Sequence, residues 1–510
     1  MSETRHDLLT ERLFHATVGK EAQMLSLPGC LAALSRGEPL VMRRLRPHQG
    51  HPWHTFTVQL AAIAMHRAGA STPWPGEDAW RDALLALTDS REPWCLVVED
   101  LAQPAFMQPP VPEGALDVLK NAAREPDVLD LLQLAKNHDV KRAKMGSAQP
   151  QDWAFVLIAL QTFEGFGGAG NYGVFRMNGG LGNRPDISVC TEEPRFSREV
   201  GLLLSRRPEL LASYPYADGG IALLWLEPWG GKPPCPLNIL DPFVIEVCRR
   251  VRIAADGASL EARFGTSTSA RVEQELKGNT GDLWTPIRKK DGAGLTMGAQ
   301  GPTYARIHDW ALSGDWQPSP ALDPDGAAAV ELVVRALIRG QGTTDGYHER
   351  RIPISGASRR GWGQPGHREQ LAALSSSRVA LIGDFRRKVL RQALLTYLQG
   401  GRDERDLNLS DDGAKPFLEA FERDVDDSFF PRLFDDVDRD EVDRAVEFER
   451  LLRDLGRRQL DRCFEGAPTA DARQLRAVAR ADSLFRGKCH RILKQLAQAE
   501  AAACEARSSS

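Results

Sequence analysis

One apolar segment leads straight into a run of glycines: Gln151-Asp152-Trp153-Ala154-Phe155-Val156-Leu157-Ile158-Ala159-Leu160-Gln161-Thr162-Phe163, then Glu164-Gly165-Phe166-Gly167-Gly168-Ala169-Gly170. Its length and continuous apolar character predict a helix. The glycines that follow permit positive φ and let a backbone approach another surface closely. We therefore expect a helix that delivers a loop, whose backbone N–H groups can meet a phosphate or a base edge.

The glycine run lacks the features of a nucleotide-binding fingerprint. No Lys-Ser or Lys-Thr pair follows it, and it does not open a helix after a strand. A second cluster, Asn178-Gly179-Gly180-Leu181-Gly182-Asn183, extends the same character. A plain helix-to-strand turn remains an alternative interpretation.

Two later segments have the composition of protruding loops. Trp284-Thr285-Pro286-Ile287 reads as an extended segment that ends in a hairpin tip, Arg288-Lys289-Lys290-Asp291-Gly292. Gly342-Thr343-Thr344-Asp345-Gly346 follows Gly340 and Gln341, and precedes Glu349-Arg350-Arg351. A basic tip can enter a groove as a point charge, and a polar loop can wedge between base pairs with arginines on phosphate. A solvated turn and an ordinary connecting loop are the respective alternatives.

Composition places the chain among globular proteins with more than one core. It has 510 residues, of which 42% are hydrophobic and 26% charged. No apolar run is long enough to span a bilayer, and the first residues lack a signal-peptide core, so we expect a cytoplasmic protein. Eight cysteines occur without CxxC spacing, which predicts reduced thiols.

Charge is unevenly distributed along the chain. The net charge of -4 argues against bulk coating of nucleic acid. Residues 350–400 nevertheless hold ten arginines and lysines against Glu369 and Asp384. Arg386, Arg387, Lys388 and Arg391 fall within two helical turns, and we expect some of them to face strand or duplex phosphates. Mutual neutralisation of helices inside a bundle is the alternative.

The pattern of elements predicts an α+β fold. We expect a large mixed, mostly helical N-terminal domain with short strands over residues 1–360, and a C-terminal four-helix bundle over residues 367–510. The segment Gly356–Gly366 is the expected linker. The predicted elements are helices at Pro47–Ala70, Glu77–Leu87, Gln151–Phe163 and Ala327–Arg339, strands at Ile221–Leu226 and Phe243–Val247, and bundle helices near 370–399, 414–426, 438–464 and 470–502.

The sequence gives little support for a catalytic site or a metal-binding site. The sequence has neither a Gly-x-Ser-x-Gly elbow nor a His-Glu-x-x-His helix. His48, His51 and His54 stand three apart, but Gly50 and Pro52 break the helix that would align them. We therefore predict no catalytic residue, no metal and no cofactor.

Taken together and in this order, the motifs resemble the CasA family, the large subunits of type I-E CRISPR Cascade complexes. The helix Leu157-Ile158-Ala159-Leu160-Gln161 before Phe166-Gly167-Gly168 is similar to the one that delivers the CasA glycine loop. The likeness spans most of the chain. It also includes Pro104-Ala105-Phe106-Met107-Gln108-Pro109, Leu224-Trp225-Leu226-Glu227-Pro228, Leu240-Asp241-Pro242, Gly281-Asp282-Leu283-Trp284-Thr285-Pro286, Phe429-Phe430-Pro431 and Ala479-Arg480-Ala481.

The resemblance implies roles for individual residues. In the family a glycine loop, a lysine finger and a polar wedge hold the flanking duplex from its minor-groove side. An early loop meets the complex and the flanking motif. By position, the DNA-binding residues would be Gly165, Phe166, Gly167, Gly168, Ala169, Gly170 and Asn171 in the glycine loop; Lys289 or Lys290 as the finger; Thr343, Thr344 and Asp345 in the wedge; Lys136, Asn137, Lys141 and Lys144 in the early loop; and Arg350 and Arg351 behind the wedge.

The chain departs from the family at the wedge, where Thr344 takes the place of an amide side chain. Gln341 substitutes for that amide if the loop is shifted. The usual Trp-Ile-Pro opening is also replaced here, by Leu8-Leu9-Thr10-Glu11-Arg12-Leu13-Phe14. This departure indicates a divergent branch of the family.

The resemblance implies a non-enzymatic subunit that recognises the protospacer-adjacent motif of double-stranded DNA and aids strand separation and R-loop formation. Its implied partners are the backbone, small and guide-end Cascade subunits, the CRISPR guide RNA, target DNA, and a helicase-nuclease or complex-borne nuclease, with no membrane. Two alternatives stay open: an enzyme that binds a phosphate ligand at Gly165–Asn183, and a purely structural helical adaptor.

Overall fold

The computed structural model describes residues 5–135, 148–179, 183–257, 259–339, 343–466 and 472–508. The chain divides into two compact units. The first comprises residues 1–302 and 314–351, and the second comprises residues 303–313 and 352–510. The architecture is mixed α and β with a helical C-terminal part, which confirms the predicted fold class.

The first unit combines six helices with short strands in its described part. The helices are α1 (Leu27–Ser35), α2 (Gly50–Ala68), α3 (Glu77–Leu85), α4 (Leu131–Leu134), α5 (Pro150–Thr162) and α6 (Arg195–Ser213). The strands are β1 (Phe14–Val18), β2 (Glu21–Leu25), β3 (Leu40–Met42), β4 (Asn121–Ala123), β5 (Asp186–Cys190), β6 (Ile221–Leu223), β7 (Leu240–Ile245), β8 (Arg250–Asp256), β9 (Ser259–Gly265), β10 (Ile287–Arg288), β11 (Trp316–Gln317), β12 (Glu331–Arg339) and β13 (Thr344–Pro353).

The strands pair into several small sheets. The three-stranded sheets have the orders β2-β1-β3, β4-β9-β8 and β13-β12-β5, and the two-stranded ones are β10-β11 and the parallel pair β6-β7. In the sheet that carries the predicted wedge, β12 pairs antiparallel with β5, from Glu331 opposite Cys190 to Arg335 opposite Asp186. The predicted wedge and the lysine turn therefore extend from two short, separate sheets.

The helix predicted over Ala327–Arg339 is wrong, because residues Glu331–Arg339 of this segment form β12. Leu332, Val333 and Val334 are all buried, so both faces of the strand are covered. A strand buried on both faces has a continuous apolar run, and such a run cannot be distinguished from a buried helix by periodicity.

The core of the first unit lies around α2 and α5. Trp53 on α2 packs with Phe14 on β1 and Phe155 on α5, with 5.3 Å between ring centroids in each pair. Phe56, one turn further along α2, lies 6.3 Å from Trp53. Proline starts α5 at Pro150, and Asp152 accepts a hydrogen bond from the Gln149 N–H, which caps the helix. Because α5 is buried along nearly its whole length, the glycine loop leaves from a fixed point.

The second unit is helical in its described part. Its helices are α7 (Tyr304–Ile307), α8 (Ser358–Gly361), α9 (Pro365–Phe385), α10 (Arg391–Leu398), α11 (Lys415–Asp436), α12 (Glu441–Glu465), α13 (Ala472–Ile492) and α14 (Lys494–Ser508). A π turn over Arg386–Leu390 joins α9 to α10. The longest of these helices are α9, α11, α12 and α13, and α7, α8, α10 and α14 are shorter.

The segment Gly356–Gly366 is not an open linker. It contains α8, and Trp362 is buried with its ring centroid 6.1 Å from that of Phe434. A side chain at Gly361 would collide with the His367 ring. The boundary between the two units falls after Arg351 instead, because the segment Gly356–Gly366 is packed into the second unit.

None of the helices in the described ranges is both long and apolar enough to cross a membrane.

Candidate nucleic-acid interface

The glycine loop is a tight turn directly after α5. The Gly167 N–H donates to the Asn171 carbonyl oxygen at 2.7 Å, and the Asn171 N–H donates to the Gly168 carbonyl oxygen at 2.9 Å. Gly168 and Gly170 have φ values of +110° and +84°. These conformations explain why glycine is needed at both positions.

The two positive-φ glycines face different surroundings. A Cβ atom at Gly168 would meet nothing within 4 Å, whereas one at Gly170 would lie 2.6 Å from the Thr266 Cβ. Gly170 therefore allows a close internal contact, and Gly168 borders open space together with the exposed Ala169. Phe166 is half-buried beside Tyr172, with 6.0 Å between ring centroids.

Both ends of the loop are anchored by side chains distant in sequence. The Gly165 N–H donates to Asn183 Oδ1 at 3.0 Å. Arg249 Nη2 donates to the Gly165 carbonyl oxygen at 2.8 Å, and Arg249 Nη1 donates to the Tyr172 carbonyl oxygen. Asn183 belongs to the second glycine cluster, whose residues 180–182 lie outside the described residues, while Arg249 was missed because no motif marks it.

A buried contact between Glu164 and Arg339 connects the glycine loop with the β12–β13 hairpin. Glu164 Oε2 lies 4.0 Å from Nη1 of Arg339, the last residue of β12. Neither atom has a hydrogen-bond partner among the described residues. Burial raises the pKa of Glu164 to about 8 despite the nearby guanidinium groups of Arg249 and Arg339, and burial lowers the pKa of Arg339.

The Lys289–Lys290 turn projects from the pair β10–β11. The Arg288 N–H donates to the Ala293 carbonyl oxygen at 2.9 Å, and Arg288 Nη2 lies 2.6 Å from Asp291 Oδ2. This hydrogen bond to Arg288 lowers the pKa of Asp291 to about 2. Both lysines are exposed, and their ammonium groups have no partner in the described part of the chain.

The Asp-x-Trp segment before this turn serves as its base. Asp282 pairs with the buried Arg184, and Thr285 Oγ1 donates to Asp282 Oδ2 at 2.7 Å. Trp284 Nε1 donates to Glu199 Oε2 at 2.9 Å. These residues are buried and hold the turn on the core, so their role here is positional.

The glycine loop and the lysine turn rest on one shared segment, residues 274–279. Gln274 Nε2 donates to the Gly173 carbonyl oxygen at 2.8 Å, just beyond the glycine loop. The Gly294 N–H donates to the Lys277 carbonyl oxygen at 2.9 Å, just beyond the lysine turn. The same short segment therefore contacts the ends of both loops, through the Gln274 side chain and the Lys277 backbone.

Thr344 does not form the exposed tip of the predicted wedge. Its side chain is buried, its hydroxyl donates to the Ile338 carbonyl oxygen at 2.9 Å, and it accepts from the Gly346 N–H at 2.9 Å. The reason is that Thr344 already belongs to β13 and points inward. Thr343 and Asp345 are exposed, while Gly340, Gln341 and Gly342 lie outside the described residues.

The arginines behind the wedge are committed to neighbouring groups. Arg350 Nη1 donates to the Pro302 carbonyl oxygen at 2.7 Å. Arg351 Nη2 lies 2.5 Å from Oε2 of Glu331 on the adjacent strand. The early-loop candidates Lys136, Asn137, Lys141 and Lys144 lie outside the described residues.

The basic cluster of the second unit is partly paired. Asp384 lies 2.9 Å from both Arg387 and Lys388 on the same helix. Arg386 pairs with Glu422 at 3.0 Å, and Arg391 donates to the Leu409 carbonyl oxygen. Arg387 and Lys388 retain 65% and 54% side-chain exposure, so solvent screens their pairs.

The three spaced histidines, His48, His51 and His54, contact different partners. His48 Nε2 lies 2.7 Å from Asp130 and His54 Nε2 lies 2.7 Å from Glu199. His51 stands between the rings of Phe163 and Tyr347, and burial lowers its pKa to about 3. Within the described ranges, no group of three histidine, cysteine or acidic side chains has the arrangement of a metal site.

The whole chain is similar to several solved structures. It matches CasA of Thermus thermophilus with a TM-score of 0.65 at 16% identity, over 96% of this chain and 100% of that one. CRISPR-associated protein Cse1 of Acidimicrobium ferrooxidans matches with a TM-score of 0.65 at 14% identity, over 97% and 100%. A chain of a CRISPR RNA-guided surveillance complex in a pre-nicking state matches with a TM-score of 0.50 at 12% identity, over 94% and 98%.

These likenesses confirm the CasA fold that the motifs predicted. No protein-family model matches the sequence, and no curated protein matches it.

Proposed function

We propose that this chain is the non-catalytic large subunit of an RNA-guided CRISPR surveillance complex of the type I-E Cascade kind. It recognises the protospacer-adjacent motif of double-stranded DNA, aids strand separation and R-loop formation, and recruits or licenses a nuclease. One observation carries the proposal. Within a CasA fold of nearly full length, an open glycine loop and an exposed Lys-Lys turn rest on one shared segment.

The geometry of these two loops suits a groove of duplex DNA. The tip at Gly168 offers backbone without a side chain, and the exposed Lys289 and Lys290 offer positive charge from the second loop. The minor groove carries a degenerate base code, so small loops that sense shape and a few polar groups are adequate there. The guide RNA reads the target by base pairing, and the protein reads only the short flank.

We assign the wedge to the tip of the β12–β13 hairpin and exclude the buried Thr344 from it. Thr343 and Asp345 are the exposed members of this tip, and Gln341 remains the candidate that supplies an amide. Asp345 would repel phosphate, so we propose that Thr343 faces the base step. The hairpin adjoins the glycine loop through Glu164 and Arg339.

The proposed partners are the backbone, small and guide-end subunits of the complex, its guide RNA, the target duplex, and a helicase-nuclease or complex-borne nuclease. A related chain was solved within an RNA-guided surveillance complex, which supports this assembly. We expect no cofactor and no hydrolytic activity, and we keep the cytoplasm as the expected place of action.

The test is a flank-selection experiment with the assembled complex. Complexes reconstituted with and without this chain are offered a library of duplex targets that match the guide and carry randomised flanks. We expect enrichment of particular flanks only when the chain is present, and much weaker binding by the isolated chain. Equal binding of all flanks, with the complex intact, would contradict motif reading and favour a structural adaptor.

A further inference from the structure

Arg249 joins the two ends of the glycine loop. It lies between β7 and β8, and its side chain is almost fully buried. Its two terminal nitrogens donate to carbonyl oxygens on opposite stems of the loop, those of Gly165 and Tyr172. A guanidinium group is planar and rigid, so one side chain fixes the separation of the two stems.

The backbone of Arg249 is in turn fixed to the helix that carries the loop. Gln161 Oε1 accepts hydrogen bonds from the N–H groups of Cys248 and Arg249 at 2.9 and 2.8 Å. Gln161 Nε2 donates to the carbonyl oxygens of Arg249 and Met107, both at 3.0 Å. Since Gln161 is fully buried near the end of α5, these hydrogen bonds hold the Arg249 backbone in a fixed position relative to the helix.

The two stems are also packed closely against each other, and Arg249 lies beneath the loop that they carry. A Cβ atom at Gly173 would lie 2.8 Å from the Gly165 carbonyl carbon, so the two stems touch backbone to backbone. A Cβ atom at Gly167 would lie 3.6 Å from both Arg249 Nη2 and Arg339 Nη1. The loop therefore lies over two guanidinium groups, while its tip at Gly168 stays open.

We infer that Arg249 is a positioning residue that holds the glycine loop in the shape required to engage the flanking duplex. This inference rests on the proposed function of the loop. Four of the six residues Gly165–Gly170 are glycines, which lose more conformational entropy on ordering than any other residue. A loop that is already ordered avoids that loss when it binds.

The test compares Arg249→Met with Arg252→Met in the assembled complex. Arg252 is a matched control, because it is also buried and donates to three backbone carbonyl oxygens, but on the segment Val98–Gln103. Two quantities are measured for each variant: hydrogen exchange of the peptide that contains the loop, and affinity for a flanked duplex and for a pre-opened target.

We expect Arg249→Met to speed exchange at the Gly167 and Asn171 amides and to weaken flanked-duplex binding about 10-fold, the equivalent of one charged hydrogen bond. Binding to the pre-opened target should change less than about 2-fold. Arg252→Met should leave both readouts of the glycine loop at the parental level. Arg249→Lys keeps the charge and should give an intermediate loss, because one ammonium group replaces a two-pronged donor.

Failure of the inference can be distinguished from failure of the proposed function by Gly168→Asp, which alters the tip itself. If Gly168→Asp weakens flanked-duplex binding and neither Arg249 variant does, the positioning role of Arg249 is wrong and the loop still reads DNA. If the Arg249 and Arg252 variants lose binding equally to both targets, the effect is general destabilisation and the inference is overturned. If none of the variants, including Gly168→Asp, changes binding, the proposed role of the loop fails as well.

Discussion

Glu164 Oε2 lies 4.0 Å from Arg339 Nη1, so the residue that opens the glycine loop faces the residue that ends β12. The contact is buried, and the residues are far apart in sequence. Two loops that the motifs identified separately are thus adjacent in space. A change of charge at Glu164 therefore acts on the base of both loops.

The first prediction concerns pH. The pKa of Glu164 rises from its ordinary value of 4.5 to about 8 in the folded protein, so the folded state binds this proton more tightly than the unfolded state. Stability should therefore fall as pH rises from about 4.5 to about 8, by at most about 1.4 kcal/mol per pH unit. In Glu164→Gln the side chain is neutral at every pH, so the variant should lose the part of the decrease in stability that comes from Glu164. Urea unfolding midpoints measured across that pH range check this.

Comparing the Glu164→Gln variant with the parent protein separates the contribution of Glu164 to the pH dependence from the contributions of its neighbours. Burial also raises the pKa of Glu246, to about 7, and that group remains in both proteins. Arg249, Arg339 and Asp130 are the charged groups that act on Glu164. Identical pH profiles for the variant and the parent would show that Glu164 is ionised in the folded protein.

The second prediction concerns the lysine turn. Lys289→Ala combined with Lys290→Ala should leave the melting temperature nearly unchanged, because both side chains are exposed and unpaired within the described residues. Binding of the complex to a flanked duplex should weaken roughly 10-fold, with a smaller loss on a pre-opened target. Lys20→Ala combined with Lys120→Ala removes the same charge from exposed sites elsewhere in the first unit and should have little effect. Equal losses for both double variants would indicate a general electrostatic effect.

The third prediction concerns the tip of the glycine loop. Gly168→Asp places a negative side chain in the open space at the tip, where φ is +110°. We expect a loss of flanked-duplex affinity of at least roughly 10-fold and a modest stability cost of about 1–2 kcal/mol from the strained backbone. Gly19→Asp is the control, since Gly19 also has positive φ and open surroundings but lies in the β1–β2 turn. Unchanged affinity for Gly168→Asp, measured by titration of labelled duplex, would remove the tip from the interface.

The fourth prediction separates the base of the lysine turn from its tip. Asp282→Asn breaks the buried pair with Arg184 and should lower the free energy of unfolding by about 3 kcal/mol. Asp291→Asn breaks the exposed pair with Arg288 in the same hairpin and should shift the unfolding midpoint very little. Denaturant unfolding of both variants decides the point, and similar midpoints would contradict the structural role of Asp282.

The fifth prediction concerns the basic cluster of the second unit. Arg387→Ala combined with Lys388→Ala should reduce the slope of log affinity against log salt by about 1 to 2 if these side chains contact phosphate. Arg476→Ala combined with Arg486→Ala removes exposed charge from α13 and provides the comparison. An unchanged slope for the Arg387 and Lys388 pair would indicate that Asp384 neutralises them within the helix.

Most helices of this chain are predictable because their patterns are local. Proline at the start of α5, the apolar run within it and the glycines after it are all adjacent in sequence. The strand β12 was not predictable in this way, because side chains on both of its faces are buried, which removes the alternation that marks a strand.

By itself, the sequence determined where this protein exposes backbone and charge: a glycine run and a Lys-Lys-Asp-Gly turn remain at the surface because little in them can be buried. Tertiary structure alone decided what holds those loops and which polar residues are withdrawn. Arg249 reaches the loop from 84 residues away, and Thr344 turns inward because β13 begins there. Such contacts depend on how distant segments pack, and the sequence near each residue does not specify that packing.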